Sequence, residues 1–218
     1  MPKQSYKKAA SSLSLLAVTR ILPRAELLLK KMRKKIISVI GGHNCTPEVE
    51  QIAQKLGKKL AKVANILACG GLSGVMEAVC QGFKAGGGIT LGIIPSYDKK
   101  TANKFVDIVI PTGIGLARNA LVVQAGDIVV ALPGEYGTLS EIAYCKMFAK
   151  PVISLGSWDI PGLIQVKSVE QAVKKAKELL IGAQKSPAAK PGMDARRLPR
   201  RAQIIKDQIK SIQRVGVI

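Results

Sequence analysis

Six short apolar runs punctuate the middle of this chain, and most end in glycine: KIISVIGG (35–42), NILACGG (65–71), ITLGIIP (89–95), VDIVIPTG (106–113), DIVVALPG (127–134) and PVISLGSW (151–158). They lack the strict apolar–polar alternation of a strand with one wet face, so each reads as a strand buried on both sides. Amphipathic stretches separate them. After Pro47, the residues Val49, Ile52, Ala53, Leu56, Leu60 and Val63 form one stripe, with lysines opposite. SGVMEAVCQGFKAG, IGLARNALVVQAG and TLSEIAYCKMFAK read as further helices. IQVKS reads as an edge strand, and Ser168 as the cap of a last helix, VEQAVKKAKELL. Strands and helices alternating in this way imply a parallel sheet with helices on both faces.

The fold class expected is therefore α/β, a three-layer Rossmann-like parallel sheet. In such sheets ligands bind beyond the carboxyl ends of the strands. The glycine turns fall at those ends: GGHN after the first strand, CGGLSG after the second, PTGIG after the fourth and PGEYGT after the fifth.

Charge divides the chain into three. The formal net charge of +20 first suggests nucleic acid. Yet residues 1–34 hold nine Lys/Arg against one acid, Glu26, and residues 182–218 hold nine against Asp194 and Asp207. The middle holds sixteen basic and eleven acidic residues and is only mildly basic. Aromatic residues, the usual platforms for stacking bases, are 4% of the chain. Nucleic acid is therefore not expected as a partner of the core. The expected organisation is a basic N-terminal extension (1–34), one Rossmann-like domain (35–181) and a basic tail (182–218), rich in Pro, Ala and Arg and expected to be disordered. AQIIKDQIKSIQRV within that tail has the pattern of a short amphipathic helix. Met32, followed by a short basic lead into the first strand, is expected to be the true start. The LSLLAV stretch is short for a secretory core and no A-x-A follows it.

No apolar stretch approaches the roughly 20 residues that span a bilayer. Cys45, Cys69, Cys80 and Cys145 form no CxxC pair, and His43 is the single histidine. Neither a metal site nor a CxxC redox site is expected, and reduced thiols point to the cytoplasm. GxxxxGK followed by Ser or Thr is absent, as is an intact GxGxxG, so neither an NTP-hydrolysing loop nor a standard dinucleotide site is expected.

The turn PGEYGT has two readings. Its amides, at a strand-to-helix junction, and the Thr138 hydroxyl suit a phosphate, each charge-assisted bond contributing about 1.5–3 kcal/mol. Alternatively, the glycines serve only a tight turn. TLSE (138–141) likewise fits a capping box, Thr138 capping the helix and Glu141 reaching back. Arg118 could pair with an acid or a phosphate.

CGGLSGVMEA, TGIGLARN, LPGEYGTLSEIA and KPVISLGSW, in chain order within roughly residues 34–165, resemble the LOG family and its signature PGGxGTxxE. The ARN and GTLSEIA forms look most like a small bacterial and archaeal branch. That branch is related to molybdenum-cofactor carrier proteins and, more distantly, to the DNA-processing DprA family. The resemblance implies a phosphoribohydrolase, which cleaves nucleoside 5′-monophosphates to base and ribose 5-phosphate, with Arg118 and Glu141 catalytic. It implies phosphate or ligand binding by Gly134, Glu135, Tyr136, Gly137 and Thr138. Further ligand contacts are expected at Gly41, Gly42, Gly70, Gly71, Ser73, Gly74, Gly113, Gly115 and Asn119. A homodimer is implied by the family. The lysine-decarboxylase label sometimes given to it finds no support, since no lysine sits in these turns to form a Schiff base, and no cofactor is expected.

Two departures bear on activity. Asn119 follows Arg118 where active members carry lysine, and Glu135 replaces the signature's second glycine. A Glu135 carboxylate about 6 Å from a phosphate would cost roughly 3 kcal/mol at an effective dielectric of about 20, and next to nothing if it faced water. The favoured expectation is a protein that binds or carries a nucleotide or phosphorylated pterin-type ligand. The alternatives are the phosphoribohydrolase and single-stranded nucleic-acid binding.

Overall fold

The computed structural model of the protein describes residues 34–182. The expectations for an N-terminal extension, a start at Met32 and a disordered tail with an amphipathic helix lie outside the described residues. The strands are β1 (Ile36–Ile40), β2 (Ile66–Cys69), β3 (Ile89–Ile94), β4 (Ile108–Pro111), β5 (Ile128–Ala131), β6 (Val152–Leu155) and β7 (Ile164–Val166). They form one sheet in the order β4-β3-β2-β1-β5-β6-β7, with every pairing parallel. The helices are α1 (Pro47–Leu60), α2 (Val75–Ala85), α3 (Asn119–Ala125), α4 (Tyr136–Met147) and α5 (Val169–Gly182). This is the three-layer Rossmann-like arrangement that the run pattern implies.

Side-chain alternation builds the layers. On β5, Ile128 and Val130 enter a core that holds Leu56 and Leu60 of α1, Phe83 of α2 and Ala172 and Ala176 of α5. Val129 and Ala131 enter a second core with Val122 and Val123 of α3 and Ile142 and Cys145 of α4. Both faces of the central strands are covered, which is why their sequences stay apolar throughout. Each large aliphatic side chain so buried contributes about 1.5–3 kcal/mol.

Thr46 caps α1, its Oγ1 accepting from Val49 N at 3.4 Å, with Pro47 opening the helix. The expected apolar stripe is corrected at two positions. Helix α1 ends at Leu60, so Val63 lies in the turn beyond it, and Ile52 is exposed. The buried stripe is narrow because α1 and α2 approach backbone to backbone: a Cβ on Gly82 would lie 2.0 Å from the Gln54 carbonyl oxygen. The stretch IGLARNALVVQAG is corrected too, since a 3-10 turn (Gly115–Arg118) precedes α3. At the far edge, Ser168 Oγ accepts from Gln171 N at 3.2 Å and caps α5 as expected.

Strand order reverses at β1, with β2 to β4 on one side and β5 to β7 on the other. Beyond β1 and β5 the chain enters helices on opposite faces of the sheet, α1 and α4, and a crevice opens beyond the strand ends. Among the described residues, no helix is long and apolar enough to cross a membrane.

Candidate functional site

The crevice encloses about 350 Å³. Gly41 and Gly42 line it after β1, and Gly70 after β2. Arg118 and Asn119 reach it from the start of α3, and Glu135, Gly137, Thr138 and Glu141 from the β5–α4 turn and its helix. Its wall also includes His43, Asn44, Leu72, Met76 and Leu116, which the sequence reading did not single out. An apolar residue or a lone histidine beside a glycine turn carries no motif of its own.

The remaining expected residues lie around the crevice rather than on its wall. Gly134 backs it: a Cβ there would stand 2.2 Å from Thr138 Oγ1 and 2.6 Å from Gly42 N. The Gly42 amide donates to the Pro133 carbonyl at 3.0 Å, so the turns after β1 and β5 are in direct contact. Gly71 packs on Gly92, Gly74 packs against the His43 carbonyl, and the Ser73 hydroxyl donates to that carbonyl at 3.1 Å. Gly113 lies on the approach to the 3-10 turn before α3, and Gly115 opens that turn. Tyr136 is exposed, its ring 6.3 Å from that of Trp158, whose Nε1 donates to the Gly134 carbonyl at 3.0 Å.

The capping-box reading is overturned. Helix α4 starts at Tyr136, with Glu135 in the cap position and no side-chain cap bond. The first helical bond runs from Leu139 N to the Glu135 carbonyl at 3.0 Å, which places Thr138 inside the first turn rather than ahead of it. Glu141 is consequently one turn into the helix, 5% exposed, and faces Arg118 instead of the helix start. Glu135 is exposed at the crevice mouth, where water screens its carboxylate and the larger Coulomb cost does not apply.

Arg118 is 4% exposed, and its Nη1 stands 3.6 Å from Glu141 Oε1. Burial pushes the Glu141 carboxyl up to about 8, against the pull of Arg118. Burial also lowers the Arg118 guanidinium. The acid therefore favours its protonated form near neutral pH. Arg118 Nε is buried without a hydrogen-bond partner among the described residues. The first amides of α4 have no carbonyl a turn earlier to bond, and they carry the positive end of the helix dipole. A guanidinium, a hydroxyl and these amides suit an anion. Among the described residues no three His, Cys, Asp or Glu cluster as metal ligands.

The guanidinium fits because Gly70 lacks a side chain. A Cβ there would lie 2.5 Å from Arg118 Nη2 and 2.6 Å from Met76 Sδ. Behind Gly70, Cys69 and Cys80 bring their sulfurs within 3.4 Å as free thiols, a meeting that their spacing in sequence does not announce. Burial, with Glu141 adding to it, pushes the Cys145 thiol up to about 12.

The model of the SLOG cluster4 family matches residues 34–189 of the chain. An uncharacterized protein of Archaeoglobus fulgidus is 41% identical over 124 residues, covering 57% of this chain and 82% of that protein. The probable cytokinin riboside 5′-monophosphate phosphoribohydrolase LOGL9 of Oryza sativa subsp. japonica is 36% identical over 46% of this chain and 48% of its own length. The chain thus spans about half the length of that relative. Among solved structures, the molybdenum cofactor binding protein of Rippkaea orientalis superposes with a TM-score of 0.64 at 36% identity, over 68% of this chain and 99% of that one. DNA processing protein A of Helicobacter pylori, at 18% identity, TM-score 0.50 and coverage of 66% and 81%, shares the fold.

Proposed function

The chain belongs to the SLOG cluster4 family, and from that premise we propose that its crevice binds a phosphate-bearing nucleotide or pterin-type molecule in a binding or carrier role. One observation carries the reading: Arg118 is buried at the crevice wall with its Nε unpartnered, beside Thr138 and the first turn of α4. A buried donor left without an acceptor costs about 1–3 kcal/mol, and an anionic ligand relieves that cost. The solved relative whose name records molybdenum-cofactor binding supports the carrier form. The binding unit is residues 35–181, and its free thiols suit the cytoplasm. Its partner is a second copy of the chain, through exposed apolar side chains: Leu116 at the crevice, Leu121 on α3 and Met147 at the end of α4.

A second reading has its own support. Glu141 faces Arg118 rather than capping α4, and the rice relative is named a phosphoribohydrolase. In this reading Glu141 starts protonated and gives its proton to the departing base as the glycosidic C1′–N bond breaks. The carboxylate so formed stabilises positive charge on the ribose and takes back the proton that water loses as it adds at C1′, releasing free base and ribose 5-phosphate. Arg118 holds the substrate. Nucleic-acid binding has no comparable support, because the likeness to DNA processing protein A extends to fold alone.

Mass spectrometry of whatever small molecule co-purifies with the full chain tests the binding reading. A phosphate compound that returns to the protein unchanged is the expected result, and no saturable binding of any nucleoside monophosphate or phosphorylated pterin would sink it. Release of free base from AMP, GMP, CMP or UMP, abolished by Glu141→Gln, would replace the carrier with the enzyme.

A further inference from the structure

Four hydrogen bonds run in one direction between Arg118 and the start of α4. The Ser140 hydroxyl donates to the Gly137 carbonyl at 2.7 Å, so toward Asn119 it can only accept. Asn119 Nδ2 supplies that donor, at 2.9 Å from Ser140 Oγ and 3.4 Å from the Gly137 carbonyl oxygen. With its nitrogen committed to α4, the amide turns Oδ1 toward Arg118, whose Nη1 donates to it at 2.8 Å. The opposite flip would set an NH2 group against the guanidinium and an oxygen against two acceptors. Asn119 and Arg118 are both buried, so water does not replace these bonds.

Glu141 Oε1, at 3.6 Å from the same Nη1, stands beyond hydrogen-bond reach. Once Glu141 ionises, a buried guanidinium and carboxylate with nothing between them would close into a direct, two-pronged pair. The amide holds the cation off. We propose that Asn119, anchored by Ser140, is a positioning residue that keeps Arg118 apart from Glu141, so that guanidinium and acid meet a ligand separately. The inference rests on the reading of those two residues as ligand contacts. It recasts Asn119 from the ligand contact that the sequence suggested, and it gives Ser140 a role that no motif signals.

The ionisable neighbours that act on Glu141 are Arg118 from the 3-10 turn and Cys69 from β2, with Cys145 one helical turn along α4. Burial raises Glu141 most, and Arg118 is the one neighbour that opposes it, so a change in the Arg118 distance moves how readily Glu141 ionises.

The test is an NMR titration of the Glu141 side-chain carboxyl carbon in the full chain without ligand. Asn119→Leu removes the acceptor, and Ser140→Ala removes the anchor. In both, the titration midpoint of Glu141 is expected to fall by about one pH unit or more, as it does when an opposite charge closes to contact. Ser140→Thr, which keeps the hydroxyl, is expected to restore it. An unchanged midpoint in a folded Asn119→Leu or Ser140→Ala protein overturns the inference. Ser140 is half-buried and its loss leaves no charge unpaired, so Ser140→Ala decides alone should Asn119→Leu not fold. The two readings fail separately: a shifted midpoint in a protein that binds no phosphate ligand sinks the proposed function but not the positioning role.

Discussion

The Thr138 hydroxyl occupies the space that a Gly134 side chain would need, 2.2 Å from where its Cβ would sit. That one relationship joins the strand-five turn to the first turn of α4 and keeps the hydroxyl at the crevice. Thr138→Ala removes the hydroxyl while leaving the turn free to close. If Thr138 bonds a phosphate, affinity for a nucleoside monophosphate should fall roughly tenfold, the equivalent of about 1.4 kcal/mol. Isothermal calorimetry measures it; equal affinity would remove Thr138 from the ligand's contacts.

The buried acid predicts a pH dependence of stability. Glu141 moves from an ordinary 4.5 in the unfolded chain to about 8 in the folded one. Its contribution is therefore complete below pH 4.5 and lost as the pH rises toward 8. Asp107 and Glu170 are shifted downward, so their effects fall below this window. Unfolding free energy should decline between pH 5 and pH 8.5 by at most about 5 kcal/mol from this group. Glu141→Gln should flatten the decline. Parallel slopes in urea titrations of the two proteins would show that the carboxyl ionises as readily folded as unfolded.

Sheet, layers and the edge at which the crevice opens were legible from gapless apolar runs ending in glycine, because a strand covered on both faces has no polar alternation to hide it. Arg118, Thr138 and Glu141 were legible as types at motif spacing. The start of α4 was not. TLSE satisfies a capping box on paper, but the first helical bond forms at Glu135, and local pattern cannot say which of two adjacent turns closes first. Ser140 and Asn119 meet across 21 residues, and the Cys69–Cys80 contact joins a strand end to a helix. Only the packed fold brings such partners together.

Stability and site can be separated through the α1–α2 contact. A methyl at Gly82 would meet the Gln54 backbone at 2.0 Å, and backbone cannot swing aside as a side chain does. Gly82→Ala should cost about 1–3 kcal/mol by overpacking while leaving ligand affinity below the unfolding transition unchanged. Thermal denaturation with binding measured at 25 °C distinguishes this from damage to the crevice. A protein of undiminished stability would mean that the two helices lie farther apart.

Leu116 offers the most direct test of the second copy. It is 74% exposed yet lines the crevice, and Leu121 and Met147 are exposed on α3 and α4. An exposed leucine gains little from water, whereas burial against a partner contributes about 1.5–3 kcal/mol. Leu116→Arg exchanges that gain for a desolvated charge, so a dimer should weaken roughly tenfold or more. Sedimentation velocity across a concentration series reads this directly. Because Leu116 belongs to the crevice wall as well, dissociation should also open the crevice to water and weaken nucleotide binding. A chain that sediments as a monomer before the substitution would refute the pairing and leave Leu116 as part of the ligand's apolar wall.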